Sequence, residues 1–126
     1  MKFFAVAVIL AFVGQSWAES HPWVAEPRDA NWLKRHDELV TLTKEHGKEE
    51  QIVFVGDSIT EGWAGNGRKV WDKYYTPRHA FNYGIGGDRT EHVLYRIANH
   101  EFDGLNPKVA VLMIGNSLII RDGQRV

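Results

Sequence analysis

A serine placed directly after a glycine-aspartate pair is where this chain first offers chemistry. Ser58 follows Gly56-Asp57, which itself follows the apolar run Ile52-Val53-Phe54-Val55. Its hydroxyl is a candidate nucleophile, and attack on an ester carbonyl requires donors aimed at the oxyanion that forms. Two other small-polar stretches have suitable groups, Gly84-Ile85-Gly86-Gly87-Asp88 and Gly115-Asn116. The backbone N–H of Ser58, a glycine N–H from the second stretch and an asparagine amide from the third fit that task. Glycine suits it because the backbone must come close to the ligand. The plainer alternative is structural, with Asp57 or Ser58 only capping the helix that follows.

Three loops can share one site only if the elements before them end at one edge. Ile52 to Val55 is short, apolar and valine-rich, as expected of a strand buried on both faces. His79 to Tyr83 reads as a second strand, and Lys108 to Ile114 as a third, apolar from Val109 onward. A helix is expected from Asp29, because Trp32, Leu33, His36, Leu39, Val40 and Thr43 recur on one face and Gly47 can stop it. A short helical turn follows Ser58, then a segment with Val70, Trp71 and Tyr74 at helical spacing, closed by Pro77. A further helix has Asp88 or Thr90 as its cap and Val93, Leu94 and Ile97 as its buried face. Helix and strand thus alternate three times. Crossovers of this length impose parallel pairing and right-handed connections. The expected fold class is α/β, in three layers, helix–sheet–helix, with the three loops at the carboxyl edge where such sheets bind ligands.

Composition narrows the function. The 126 residues are 44% hydrophobic and 25% charged, with a formal charge of −1, which describes one ordinary domain. No basic stripe points to nucleic acid. Cysteine is absent, and the histidines lack metal-ligand spacing, so neither a metal nor another cofactor is expected. Residues 1–18 read as a signal peptide: Lys2, the apolar stretch Phe3 to Val13, then the small-x-small site Ser16-Trp17-Ala18. That predicts a secreted or periplasmic protein with no stable membrane anchor, the apolar stretch being too short for a comfortable span.

Gly56-Asp57-Ser58-Ile59 resembles the first block of the SGNH (GDSL-type) hydrolases. The stretch from Asn82 through Gly84-Ile85-Gly86-Gly87-Asp88-Arg89-Thr90 to Arg96 is similar to the catalytic subunits of intracellular platelet-activating-factor acetylhydrolase and to their secreted bacterial relatives. Asn106-Pro107-Lys108-Val109 continues the likeness, and Trp32-x-x-Arg35-His36 is similar to the bacterial branch. The resemblance implies a parallel, flavodoxin-like sheet and a partial SGNH hydrolase domain over residues 29–117. It implies a serine ester hydrolase acting on acetyl or other short acyl esters of lipid or carbohydrate, with no cofactor. Carried over by position, it makes Ser58 the nucleophile and Gly87 the oxyanion-hole glycine, with Asn116 as the candidate amide donor. A homodimer of the complete enzyme is left open.

Two departures qualify the expectation. The family's third block is Gly-x-Asn, whereas here Asn116 stands one position early in Gly115-Asn116-Ser117. A shift of one residue at a strand end turns a side chain to the other face. The Asp-x-x-His block that provides the general base is absent, and residues 118–126 resemble nothing in the family. His92 reads instead as a helix-surface histidine. The chain therefore reads as the N-terminal part of the domain, C-terminally truncated and inactive alone. Two competing expectations are a non-catalytic anion- or glycan-binding α/β protein and a non-functional fragment.

Overall fold

The computed structural model describes residues 21–115. The expected leader, Asn116 and the tail from 118 lie outside the described residues.

The chain enters through an extended lead-in to α1 (Ala30–His46). Asp29 starts this helix, its Oδ1 accepting the N–H groups of Asn31 at 3.0 Å and Trp32 at 3.1 Å. The Trp32 N–H is the main cause holding this carboxyl below its ordinary range. Trp32, His36, Leu39 and Thr43 form the buried stripe. β1 (Ile52–Gly56) leads into the single turn α2 (Ser58–Glu61), a 3-10 turn at Gly62–Ala64 and α3 (Arg68–Tyr74). A second 3-10 turn at Thr76–Arg78 precedes β2 (Ala80–Gly84). α4 (Thr90–Ala98) and β3 (Val109–Met113) complete the described part.

The sheet is parallel in the order β2-β1-β3, with Gly56 level with Gly84 on one side and with Met113 on the other. The fold is α/β, a small open parallel sheet consistent with part of a flavodoxin-like domain. Strand alternation divides the core into two. Val53 joins Trp32, Leu39, Tyr83 and Ile85 on the α1 and α4 side. Phe54 packs with Trp71 and Ala80 on the α3 side, with Trp63 and Tyr75 around them. The chain leaves β1 for β2 on one side and later reaches β3 on the other. The two crossovers diverge there and open a crevice at the carboxyl ends, the usual ligand position in such sheets.

Three expectations about faces need correction. On α4 only Val93 of the apolar trio is buried, and Ile97 is 56% exposed. The inward positions go to Glu91, His92 and Arg96 instead, because this face meets a polar interior. Neither Asp88 nor Thr90 caps α4. Arg89 is the cap residue, and its N–H donates to His92 Nδ1 at 2.9 Å, so His92 is buried rather than on the surface. On α3, Val70 and Tyr74 face outward while Trp71 and Tyr75 pack inward. β3 is paired only with β1 and is exposed throughout, with Leu112 at 63%. Its other edge is open among the described residues.

Glu50, buried beside the start of β1, accepts the Tyr83 hydroxyl at 2.7 and 2.9 Å on its two oxygens. Burial pushes its carboxyl above the usual range despite that bond. The folded protein therefore holds this proton more tightly than the unfolded chain. Stability is lost as pH rises from the unfolded value of 4.5 through the raised one. Glu50→Gln keeps an acceptor for Tyr83 and removes the charge. Its melting temperature is expected to exceed the parent's at pH 7, the gap closing below about pH 4. A scan of thermal melts against pH checks this.

Candidate active site

The site is built where β1 and β2 end. Asp57 leaves β1 in extended backbone (φ −93°, ψ −151°) and caps α2, its Oδ1 accepting the Ile59 N–H at 3.0 Å. Asp57 is buried, and its Oδ2 has no hydrogen-bond partner among the described residues. The capping alternative is therefore correct for Asp57, and it places Ser58 as the first helical residue. Ser58 is exposed there, and its N–H has no acceptor within the helix.

Close backbone contacts bring the second loop against the first. A Cβ added at Gly84 would come within 2.2 Å of the Glu61 nitrogen and 2.7 Å of the Thr60 carbonyl carbon. Asn82 links the loops, donating from Nδ2 to the Thr60 carbonyl at 3.0 Å and accepting the Gly84 N–H on Oδ1 at 2.8 Å. The Ile85 N–H donates to the Gly56 carbonyl at 3.0 Å, and the Asp88 N–H closes a turn onto the Ile85 carbonyl at 3.1 Å. A Cβ at Gly86 would lie 3.8 Å from the Ser58 Cβ. Gly87 has φ +79°, a conformation that L side chains rarely adopt. The Gly86 position thus lies near Ser58, whereas a Cβ at Gly87 would meet the Arg28 guanidinium at 3.1 Å. The third loop begins at Gly115 (φ +105°), after a β3 whose Met113 carbonyl lies 2.4 Å from where a Gly56 Cβ would be.

Because the Gly84 contact is with backbone, it cannot be relieved by turning a side chain. Gly84→Ala is expected to cost about 3 kcal/mol and to lift α2, with Ser58, off the end of β2. Gly62 has φ −56° and open space where its Cβ would go. Gly62→Ala is thus the control, neutral or slightly stabilising. Urea titrations of the pair measure the contrast.

Beneath the second loop lies a cluster of buried charges that pattern reading did not single out. Asp88 accepts the Trp32 indole N–H at 2.6 Å and Arg96 Nη1 at 2.9 Å, with Arg28 Nη1 at 3.4 Å. Burial pushes the Asp88 carboxyl up, and Arg96, Trp32 and Arg28 pull it back. Arg96, fully buried, also donates to Glu101 Oε1 through Nε at 2.8 Å and to the Tyr83 carbonyl through Nη2 at 2.5 Å. Glu101 Oε2 lies 2.6 Å from His36 Nδ1, and the Glu101 carbonyl accepts the Thr43 hydroxyl at 2.5 Å. Arg28, from the lead-in, donates to the Gly86 carbonyl at 2.7 Å. The cluster fixes the loop from below and Arg28 clamps it from the side. The available signal was an acid just ahead of α4 and Arg96 in its last turn, on the side that also carries Val93.

Among the described residues no group of three or more histidines and acids is placed to hold a metal ion. The arrangement presents an exposed serine hydroxyl beside a glycine turn, which is compatible with acyl transfer.

No family model matches the chain. Over 89 residues, 71% of its length, it is 37% identical to the platelet-activating factor acetylhydrolase IB subunit alpha1 of Rattus norvegicus and of Homo sapiens. It is 38% identical over the same length to subunit alpha2 of Rattus norvegicus. The matched stretch spans 37% of the length of each of these relatives. Across that stretch the chain is a homologue of acetylhydrolase subunits, a relationship that points to an esterase-type hydrolase.

Proposed function

We propose that this chain is the nucleophile-bearing part of an SGNH (GDSL-type) serine ester hydrolase acting on acetyl or other short acyl esters. The observation that carries the reading is the approach of Ser58 to the Gly86-Gly87 turn, with a Gly86 Cβ position 3.8 Å from the Ser58 Cβ. Homology to acetylhydrolase subunits supports the ester substrate.

In this reading Ser58 Oγ bonds to the acyl carbon and gives up its proton to a base. The carbonyl oxygen becomes an oxyanion facing the N–H groups of Ser58 and Gly87, with Asn116 as a proposed third donor. The bond to the alcohol oxygen then breaks, the alcohol leaves with a proton, and water later releases the acid from the acyl-serine. In this reading the base is the histidine of a family-like Asp-x-x-His block, which these 126 residues do not contain. The apolar leader, Lys2 to Ala18, supports export of the protein.

The test is acetyl-ester hydrolysis by a form extended with a family-like Asp-x-x-His half. Ser58→Ala is expected to abolish its turnover. Turnover by the extended form that is indifferent to Ser58→Ala overturns the reading.

A further inference from the structure

We propose that Arg28 is a positioning residue for the reaction: it holds the Gly86–Gly87 peptide in the orientation that offers the Gly87 N–H to an oxyanion. The inference rests on the hydrolase reading above and adds a residue of the lead-in to that site.

The Asp88 N–H donates to the Ile85 carbonyl at 3.1 Å, so residues 85–88 form a turn with Gly86 and Gly87 at its centre. Gly87 has φ +79°, and Gly86 is not among the residues with positive φ. That combination defines a type II turn. The alternative, a type I turn, keeps the same closing bond. It differs by a half-rotation of the central peptide, which carries the Gly86 carbonyl and the Gly87 N–H. Those two groups point in opposite directions because the peptide is planar and trans. Turning the carbonyl over therefore turns the donor over.

Nothing within the turn decides between the two forms. Glycine takes positive and negative φ about equally, and both central residues are glycine. What separates them is the partner of the Gly86 carbonyl. Arg28 Nη1 donates to it at 2.7 Å, a charge-assisted bond, and no other group among the described residues does. The Gly87 N–H, at the opposite end of that peptide, has no acceptor among the described residues. The guanidinium is also seated against Gly87, where an added Cβ would lie 3.1 Å from Nη1 and 3.2 Å from Nη2. Two anchors keep Arg28 in place. Asp88 Oδ1 lies 3.4 Å from Nη1, and the Glu26 N–H ties the lead-in to the Glu91 carbonyl of α4 at 3.2 Å. A cation on the carbonyl also polarises the peptide and makes its N–H a stronger donor. Arg28 thus sets both the direction and the strength of the Gly87 N–H, and acts on the reaction through that peptide.

The experiment follows the full, isotope-labelled chain by NMR. A type II turn brings the Gly86 Hα close to the Gly87 amide proton, whereas a type I turn brings the two glycine amide protons together. The expected result is a strong Hα–amide contact in the parent. In Arg28→Met the amide–amide contact grows at its expense while a cooperative melt is kept. Arg28→Lys, which keeps a donor for the carbonyl, restores the parent pattern. An unchanged Hα–amide contact in Arg28→Met overturns the proposal, and so does loss of the cooperative melt, which would make Arg28 a structural residue. The catalytic arm uses the extended form described above. Arg28→Met is expected to lower kcat for an acetyl ester about tenfold or more at unchanged KM, against the roughly 100- to 1,000-fold that loss of a whole oxyanion donor costs. Arg28→Lys recovers most of that loss. A turn that flips while kcat stays at the parent value overturns the positioning role. Turnover indifferent to Ser58→Ala removes the hydrolase reading instead, and leaves the NMR result on the turn standing.

Discussion

Arg96→Met is expected to cost about 3–5 kcal/mol of folding free energy, the penalty for stripping the partner from buried charges. That is a large share of the roughly 5–15 kcal/mol that holds a domain together. Arg96 alone bridges Asp88, Glu101 and the Tyr83 carbonyl, and all three residues are buried. Methionine fills much of the same volume, so the lost term is electrostatic and not a cavity. Neutralising the carboxylates with Asp88→Asn and Glu101→Gln in the same chain should recover much of the loss, since the uncompensated charges are what makes the single change costly. Urea unfolding followed by tryptophan fluorescence reads both, because Trp32 donates into the cluster. A single-variant loss under 1 kcal/mol would show that water reaches these groups.

The second large effect is catalytic. The chain by itself is expected to hydrolyse acetyl esters on the order of a millionfold more slowly than a complete triad enzyme. A serine hydroxyl without its base is a weak nucleophile near neutral pH. Roughly a thousandfold over water survives in other serine hydrolases from the oxyanion hole and binding alone. In the proposed reading, the N–H groups of Ser58 and Gly87 would provide that remnant. Acetyl-ester turnover by the purified chain, set beside Ser58→Ala and the extended form, measures it. Ser58-dependent turnover at ordinary enzyme rates by the short chain would mean that one of its own histidines serves as base.

The two convergent loops were legible because glycine and small polar residues after an apolar run have few other uses. Gly56-Asp57-Ser58 and Gly84 to Asp88 gave away both the strand ends and the edge they share. The burial pattern was less legible, and for a definite reason. Periodicity reading scores apolar residues, so it assigned Leu94 and Ile97 to the core, whereas α4 turns Glu91, His92 and Arg96 inward. Their partners are distant in sequence: Trp32 is 56 residues from Asp88, and His36 is 65 from Glu101. A run such as Val109 to Met113 likewise reports that a strand is built to be covered. It does not report whether the cover lies among the described residues, and β3 stands exposed there.

The Arg28 clamp has a practical corollary for handling the protein. The residue that holds the Gly86 carbonyl belongs to neither a helix nor a strand, but to the extended segment ahead of α1. Segments of that kind are where proteases nick most readily. A preparation trimmed just past Arg28 would keep α1 and both cores, and with them a cooperative melt, while the Gly86 turn had lost its side support and Asp88 one of its cationic partners. Intact mass is therefore a better criterion of a competent sample than a cooperative melt, and affinity tags belong well upstream of that arginine.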